Sequence, residues 1–276
     1  LSLNDCSRRS VRMRFPALTI LAAVLIGAVP ATAADQAAPL AAHRAFYQLT
    51  LDQARGAEVA GASGTMAFEV LDACDGWATR QRLQMTVTNR DGQDIQMLSD
   101  YSTWESKDGL SMRFRLRQTT DSAVTSEVAG EASLERPGGP GEVRYSLPEV
   151  ASKRLPVGTL FPMVHTEAIL TAAHAGKKFI TLPLFDGTSE KGAQDSSVAV
   201  VNWNGPKSGK WPALSGLSSG RVHVAFFDRD AASQQPDYEV GMRYWDNGVA
   251  DDLDMDFGDF VMKGTLSQLT VLPPGC

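Results

Sequence analysis

Apolar and polar side chains alternate along most of this chain, and the alternation restricts the folds that it can adopt. In the segment LSMRFRLRQ, residues 110–118, apolar residues occupy every second position between serine, arginines and glutamine. Successive side chains of a β-strand point to opposite faces, so the pattern indicates strands with one buried and one solvated face. Such half-buried strands are typical of antiparallel sheets. The same alternation occurs in RLQMTVT (82–88), RVHVAF (221–226) and YEVGMRY (238–244).

Turn signals separate the alternating segments. Asp91-Gly92 lies between two of them and is a strong β-hairpin signal. The segment 204–220 is rich in glycine, proline and serine, which predicts a long surface loop. Further strands are predicted near residues 43–53, 64–72, 94–105, 123–136, 141–147, 178–185, 196–204 and 251–271.

One segment lacks the alternation and favours a helix. Residues 163–175 are rich in helix formers, Pro162 suits a first helical turn, and Gly176 followed by two lysines suits a C-terminus. No internal repeat of fixed period and no βαβ rhythm is present in the sequence. We therefore predict an all-β fold of many antiparallel strands with one notable α-helix.

The N-terminal segment has the pattern of a secretory signal peptide. Arginines precede an apolar run at 17–29, and a small-residue Ala-Thr-Ala site follows at 31–33. The run of 13 residues is shorter than the roughly 20 that a membrane-spanning helix needs. We expect residues 1–34 to be leader and signal peptide, with translation starting at Met13, and residues 35–276 to form a single domain. An uncleaved anchor helix is the alternative.

The charge balance argues against two classes of partner. The whole chain carries a formal net charge of −6. Removal of residues 1–34 would leave 22 Lys and Arg against 31 Asp and Glu, a net charge of −9. Such a surface opposes nonspecific binding to nucleic acid or to an anionic membrane. Hydrophobic residues make up 43% of the chain, which is enough for a sizeable core.

The cysteine count suggests one disulfide. Of the three cysteines, Cys6 lies in the leader, so Cys74 and Cys276 remain after cleavage. In an oxidising compartment two cysteines are the number that forms one bridge. Two free thiols or an intermolecular disulfide are the alternatives.

A possible nucleophile lies in the segment 216–220, which reads GLSSG and matches the G-x-S-x-G pattern. In hydrolases that serine follows a strand and precedes a helix. Here Ser218 follows a loop and precedes a predicted strand, so we expect no catalytic residue. An exported serine hydrolase that uses Ser218 with a histidine such as His223 is the alternative hypothesis.

The histidines and one acidic segment are the candidate metal ligands in the sequence. The four histidines have no zinc-site spacing, and we expect them to be surface or half-buried residues; they are His43, His165, His174 and His223. The acidic segment 251–259 resembles the start of a calcium loop, but Phe257 and Lys263 stand where that loop needs glycine and glutamate. An alternating strand explains the segment better, so we expect no metal. A calcium-stabilised binding module is a further alternative.

A basic stripe, Arg113, Arg115 and Arg117, runs along one predicted strand. A solvated face paired with acidic neighbours across the sheet explains it, and an anion site is the alternative.

Four stretches together carry a resemblance to a known family. They are DACDGW (72–77), GTLFPMVHTEAIL (158–170), LFDGT (184–188) and DNGVADDLDMDFGDFVMKGTLSQL (246–269). In their order along the chain they resemble the EipB-like family, the cell-envelope integrity protein B family of Gram-negative bacteria. The resemblance covers nearly the whole chain after the leader. The basic extension before Met13 is not part of the family pattern.

The resemblance implies a fold and a role. It implies a periplasmic protein whose antiparallel strands coil into an open spiral or incomplete barrel, with the helix near the concave side. It also implies a disulfide between Cys74 and Cys276 and a role in envelope integrity, and it brings no catalytic residues. We therefore expect a non-enzymatic, monomeric binding protein without a cofactor. Its expected partner is a periplasmic protein or an envelope lipid or lipoprotein, with no transmembrane segment after signal cleavage.

Overall fold

Strands at the two ends of the domain pair with each other and join all of its strands into one sheet. The computed structural model describes residues 39–56, 58–229 and 235–276, which belong to the unit Asp35–Cys276. The predicted leader and signal peptide, residues 1–34, lie outside the described residues. Within the described part, fourteen strands form one antiparallel sheet in the order β8-β7-β6-β5-β4-β3-β2-β1-β14-β13-β12-β11-β10-β9.

The bounds of the elements follow the chain. The first eight strands are β1 His43–Ala54, β2 Val59–Asp72, β3 Gly76–Asn89, β4 Asp94–Ser106, β5 Ser111–Thr120, β6 Ala123–Leu134, β7 Gly141–Leu147 and β8 Ala151–Leu155. The helix α1 Pro162–His174 follows, and then come β9 Phe179–Leu184, β10 Gln194–Val200, a 3₁₀ turn Pro212–Leu214, β11 Ser219–Asp228, β12 Tyr238–Trp245, β13 Ala250–Asp256 and β14 Phe260–Val271.

The all-β prediction is confirmed, and so is the helix to within one residue at each end. The sheet does not close into a barrel, because β8 and β9 are its two outer strands and the connection containing α1 runs between them. The sheet therefore has the expected open, many-stranded form.

The structure differs from the predicted strands at β13–β14 and at β8. The segment predicted as one strand over 251–271 is divided into β13 and β14, because residues 257–259 form a turn with Gly258 at φ 85°. No strand was predicted at β8, whose sequence ASKRL lacks alternation and is exposed at all but its last residue. Only Leu155 of β8 is buried, so no buried face imposes the period of two on this strand.

The sheet curls so that distant strands meet across its inner face. The segment 185–189, which follows β9, lies against strands from the other end of the sheet. The ring of Phe185 meets Phe114 of β5 edge to face at 5.3 Å, and the hydroxyl of Tyr101 on β4 donates to the carbonyl oxygen of Asp186. The hydroxyl of Tyr145 on β7 donates to the carbonyl oxygen of Ser189 at 3.2 Å. These contacts bring the two ends of the sheet together on its inner side, although the outer strands β8 and β9 do not pair with each other.

A disulfide joins Cys74, just after β2, to Cys276, five residues after β14. The two Cα atoms are 5.5 Å apart, and 202 positions separate the residues along the chain. The carboxylate of Asp72 accepts a hydrogen bond from the backbone N–H of Cys74 at 3.0 Å and pairs with Lys107. Gly275 has to be a glycine, because a Cβ there would collide with the backbone carbonyl of Asp72. The last residues of the chain are thus held against the turn before β3.

We predict that the exported protein carries this bridge and no free thiol. Cys74→Ser or Cys276→Ser should lower the free energy of unfolding by about 2–5 kcal/mol, because either change removes the link that restrains the unfolded chain. The double variant should lose about as much as either single one, since all three lack the same bond. Urea unfolding and thiol titration measure this. Two titratable thiols in the native protein, or additive losses in the double variant, would contradict the prediction.

Candidate functional site

The inner side of the curled sheet contains a cavity of about 490 Å³. Strands as far apart in the sheet as β5 and β10 contribute to it, and α1 closes one part of it through Met163 and Thr166. Its size lies within the range of about 300–1,000 Å³ that is usual for small-molecule sites. The sheet curls without closing, and the cavity is the space on its inner side that side chains do not fill.

The wall of the cavity is mostly apolar. Thioether and aromatic side chains dominate it, and such flexible or flat groups suit an irregular apolar occupant. Tyr238 stacks on Phe226 with ring centroids 6.0 Å apart. The larger apolar residues of the wall include Met66, Phe68, Phe226, Tyr238, Met242 and Met255.

A small set of polar groups interrupts the apolar wall. Both carboxylate oxygens of Asp186 accept hydrogen bonds, one from the backbone N–H and hydroxyl of Thr188 at 2.9 and 2.8 Å and one from Gln194 at 2.8 Å. Burial raises the pKa of Asp186, and these hydrogen bonds oppose the rise. Tyr47 donates its hydroxyl to the carbonyl oxygen of Ala250 at 2.7 Å.

His43 is the polar group of the wall that lacks one of its hydrogen bonds. It begins β1, and its side chain lies on the inner face in phase with Ala45 and Tyr47. Its Nδ1 atom is 2.8 Å from the carbonyl oxygen of Ala41, whereas its Nε2 atom has no hydrogen-bond partner among the described residues. The residue is 3% exposed, and burial lowers its pKa.

A buried glutamate on β4 holds the first turn of α1 at the cavity. No side chain adjacent to the start of the helix caps its N-terminus. The carboxylate of Glu105, which is 1% exposed, instead accepts a hydrogen bond from the backbone N–H of Met163 at 2.9 Å. An anion is favourable at a helix N-terminus. Burial nevertheless dominates and raises the pKa of Glu105 to about 7, against the lowering effect of the Met163 hydrogen bond.

Two histidines of α1 tie the helix to the sheet in different directions. His165 lies 2.8 Å from the hydroxyl of Ser196 on β10, and both side chains are buried. Burial lowers the pKa of His165 to about 4. His174 contacts the carboxylate of Asp246. The expectation of surface or half-buried histidines is wrong for His43 and His165, because both lie on faces that turn inward.

One known protein family matches this chain along nearly all of the segment that follows the predicted leader. The model of the EipB-like family matches residues 34–273. The chain belongs to the EipB-like family. The resemblance carried by the four sequence stretches is thereby confirmed.

A curated sequence and a solved structure, both from Brucella abortus, are similar to this EipB-like chain. The Cell envelope integrity protein EipB of strain 2308 is 32% identical over 257 residues, which cover 90% of this chain and 90% of that protein. A solved structure, a beta-barrel-like protein of a domain of unknown function, DUF1849, superposes with a TM-score of 0.76 at 31% identity. That match covers 85% of this chain and 99% of the solved one.

The structure of this EipB-like chain does not bring the proposed hydrolase pair together. Ser218 is buried, precedes the strand β11 instead of a helix, and accepts a hydrogen bond at its backbone carbonyl from the N–H of Asp246 at 2.9 Å. His223 lies five residues further, which is about 16 Å along an extended chain. Its ring points outward and lies 2.9 Å from Glu239.

The acidic segment of the EipB-like chain is paired with basic side chains. Leu253 and Met255 are buried, as the strand interpretation predicts. Asp252 and Asp254 point the other way and contact cations of neighbouring strands, which are Arg221, Arg243 and Lys263. No group of three or more metal-binding side chains occurs within the residues that the structure describes.

The basic stripe is likewise paired across the sheet. Arg115 and Arg117 both contact Glu127 of β6, and Arg113 lies over the ring of Trp104 at 4.7 Å. In the part of the chain described here, no helix is both long and apolar enough to cross a membrane.

Sequence reasoning missed the internal site. Its apolar residues were predicted as core, but nothing local shows that the core is incompletely filled. For His43 a signal was present, because it alternates in phase with Ala45, Tyr47 and Leu49, the apolar residues of its strand.

The buried carboxyl of Glu105 predicts a pH effect on stability. Its pKa rises from an ordinary 4.5 to about 7 on folding. The folded state therefore holds the proton more tightly, and the stabilising contribution of the protonated form is lost as pH rises from 4.5 through 7. The free energy of unfolding of Glu105→Gln, relative to wild type, should be higher at pH 8 than at pH 5 by about 2–3 kcal/mol.

Urea unfolding at both pH values measures this effect. Glu142→Gln, which removes an exposed carboxylate paired with Arg144, is the matched control and should change stability little at either pH. A Glu105→Gln advantage that is equal at pH 5 and pH 8 would contradict the prediction.

Proposed function

We propose that this protein is exported to the periplasm and supports cell-envelope integrity as a non-catalytic, monomeric binding protein. Its internal cavity holds the acyl chain of an envelope lipid or lipoprotein. The observation that carries the proposal is the apolar cavity of about 490 Å³ inside a sheet that curls without closing. An acyl chain gains about 0.8 kcal/mol for each methylene that leaves water, so such a wall favours a long, unbranched apolar group.

Two further observations support this proposal. The Brucella relative is named for cell envelope integrity, and it matches over nearly the whole of both chains. The N-terminal segment has the pattern of a signal peptide, and a disulfide such as Cys74–Cys276 is typical of proteins in an oxidising compartment.

Filling the cavity should abolish binding of an apolar probe. Val240 lines the cavity on β12, and Val240→Trp places an indole where the chain would lie. The uncharged dye N-phenyl-1-naphthylamine should fluoresce on binding to wild type and lose at least tenfold in affinity for the variant. Arg243→Trp, which adds the same side chain on the exposed face of β12, is the matched control and should bind like wild type. Absence of dye binding to wild type, or equal binding to Val240→Trp, would contradict the proposal.

A protein partner is the second candidate function, and the free edge of β9 favours it. On the side away from β10, residues 179–182 have no strand partner among the described residues. Phe179, on this edge, is 78% exposed. The other outer strand, β8, carries Lys153 and Arg154, and charges of this kind discourage strand addition. An extended segment of a partner could pair with β9 and cover Phe179.

A substitution at this edge separates the two functions. If a partner adds to β9, Phe179→Asp should fail to restore detergent resistance to a strain that lacks the protein. Its melting temperature and dye binding should stay unchanged, because the residue is exposed. Val201→Asp, at an exposed apolar residue outside the strands, is the control and should restore resistance. Full restoration by Phe179→Asp would remove this candidate.

A further inference from the structure

The outer face of the sheet, which points away from the cavity, carries two grooves on the strands β1–β5. Their volumes are about 490 and 660 Å³. On β1, Arg44, Phe46, Gln48 and Thr50 are exposed and alternate with the buried inner residues of the strand. Residues two positions apart share a face, and the same alternation assigns most of the side chains that line both grooves to the outer face. The grooves therefore lie on the opposite side of the sheet from the cavity.

The first groove is rich in positive charge. Its arginines come from three strands and are Arg44, Arg80, Arg82, Arg115 and Arg117. The carboxylates that line the same groove are Glu69 and Asp100, so its lining has a net charge of +3. Residues 35–276 as a whole carry a net charge of −9. Exposed charges further away than about 8–10 Å are largely screened at physiological ionic strength, so an anion in the groove meets mainly the arginines.

The protein itself does not fully neutralise these arginines. Arg115 and Arg117 share a single carboxylate, that of Glu127 on β6. Arg80 forms no ion pair within the described residues, and its cross-strand neighbour Glu69 pairs with an arginine of β1 instead. The paired arginine side chains are 49–57% exposed. Exposed ion pairs contribute no more than about 1 kcal/mol each, so an incoming anion can displace such partners at little cost.

The contacts that the arginines already make show which anion fits them. Arg82 donates to both carboxylate oxygens of Asp100, from Nε at 2.8 Å and from Nη2 at 3.0 Å. This is the planar, two-bond pairing that a guanidinium group forms with a carboxylate. The partners of the other paired arginines in the groove, Glu69 and Glu127, are carboxylates as well. The first groove therefore presents its arginines in a geometry that suits carboxylate groups.

The second groove carries uncharged hydroxyl and amide groups. Among the described residues that line it, none is acidic or basic. Two rows cross the strands β1–β3 in register, which are Gln48, Thr65 and Gln84 in one row and Thr50, Ser63 and Thr86 in the next. All of these side chains except that of Thr86 are exposed, and in the described part of the chain none hydrogen-bonds to another side chain. Hydroxyl and amide groups both donate and accept hydrogen bonds, so the rows suit an occupant with many hydroxyl groups.

The two grooves adjoin and can hold one occupant. Phe46 in the first groove and Gln48 in the second are successive outward residues of β1. Arg82 and Gln84 stand in the same relation on β3. Such neighbours are about 7 Å apart along a strand. An acidic peptide would satisfy the arginines but would bring few hydroxyl groups to the rows of the second groove.

We propose that the outer face of β1–β5 binds an acidic polysaccharide, a chain of sugar rings that bear carboxylate and hydroxyl groups. The carboxylates pair with the arginines of the first groove, and the hydroxyls hydrogen-bond to the glutamine, threonine and serine side chains of the second. This inference goes beyond the proposed function, because it concerns the opposite face of the sheet and does not require an occupied cavity.

Matched hexamers test the chemistry of the occupant by isothermal titration calorimetry. The probe is hexagalacturonate, a linear saccharide with one carboxylate on each ring. Its fully methyl-esterified form keeps the rings and loses the charges, whereas hexaglutamate keeps the carboxylates and lacks the ring hydroxyls. Hexagalacturonate should bind to wild type about tenfold more tightly than either control, because it alone addresses both grooves.

Substitutions in each groove should weaken this binding. Arg80→Gln removes the arginine without an ion pair and should lower the affinity about fivefold, the upper end for an exposed ion pair. Thr65→Val combined with Thr86→Val keeps the side-chain shapes, removes two hydroxyls and should also lower the affinity about fivefold. Arg154→Gln on β8 and Thr181→Val on β9 are matched controls at exposed residues outside the grooves and should bind like wild type. All of these variants should keep the wild-type melting temperature, because the changed side chains lie on the outside of the sheet.

The outcomes separate this inference from its alternatives. Equal or tighter binding of hexaglutamate would assign the outer face to an acidic peptide and overturn the inference. Equal binding of the methyl ester, absence of hexagalacturonate binding, or losses in the controls as large as those in the groove variants would also overturn it. Binding of N-phenyl-1-naphthylamine to the cavity is measured separately, so failure of this inference and failure of the proposed function are distinguishable.

Discussion

The pairing of β1 with β14 is the interaction on which the rest of this structure depends. Every other neighbour in the sheet is also a neighbour along the chain, so β1–β8 and β9–β14 would otherwise be two separate meanders. The ladder runs from His43 opposite Val271 to Ala54 opposite Phe260. The disulfide between Cys74 and Cys276 lies beside its end and restrains the same long-range closure.

Joining the two meanders lets the sheet curl, and the curl creates the cavity. Contacts between the segment after β9 and strands β4, β5 and β7 bring the two ends of the sheet toward each other. One core lies near Phe114 and Phe185, and a larger one is shared by α1 and the strands β1–β3 and β10–β14. An apolar cavity of about 490 Å³ remains on the inner side of the sheet. An open edge and an internal space thus have one origin, a sheet that curls without closing.

The polar side chains on the inner face differ in whether their hydrogen bonds are satisfied. Asp186 accepts hydrogen bonds on both oxygens, and Glu105 replaces the missing cap of α1. These groups set the position of the helix and of the segment after β9. His43 differs from them, because half of its hydrogen-bonding capacity has no partner among the described residues.

The sequence by itself determined the strand content, the position of α1 and the family. Each rests on local information, such as the period of two in residues 110–118, Pro162 at the helix start and the order of four motifs. It did not determine β8, which buries only Leu155 and therefore shows no alternation, or the burial of His165 against Ser196. Only the tertiary structure decided that β1 meets β14, that the curled sheet leaves a cavity, and that Nε2 of His43 stays unpaired. These features depend on contacts between residues far apart in the chain, and no local pattern of side chains records them.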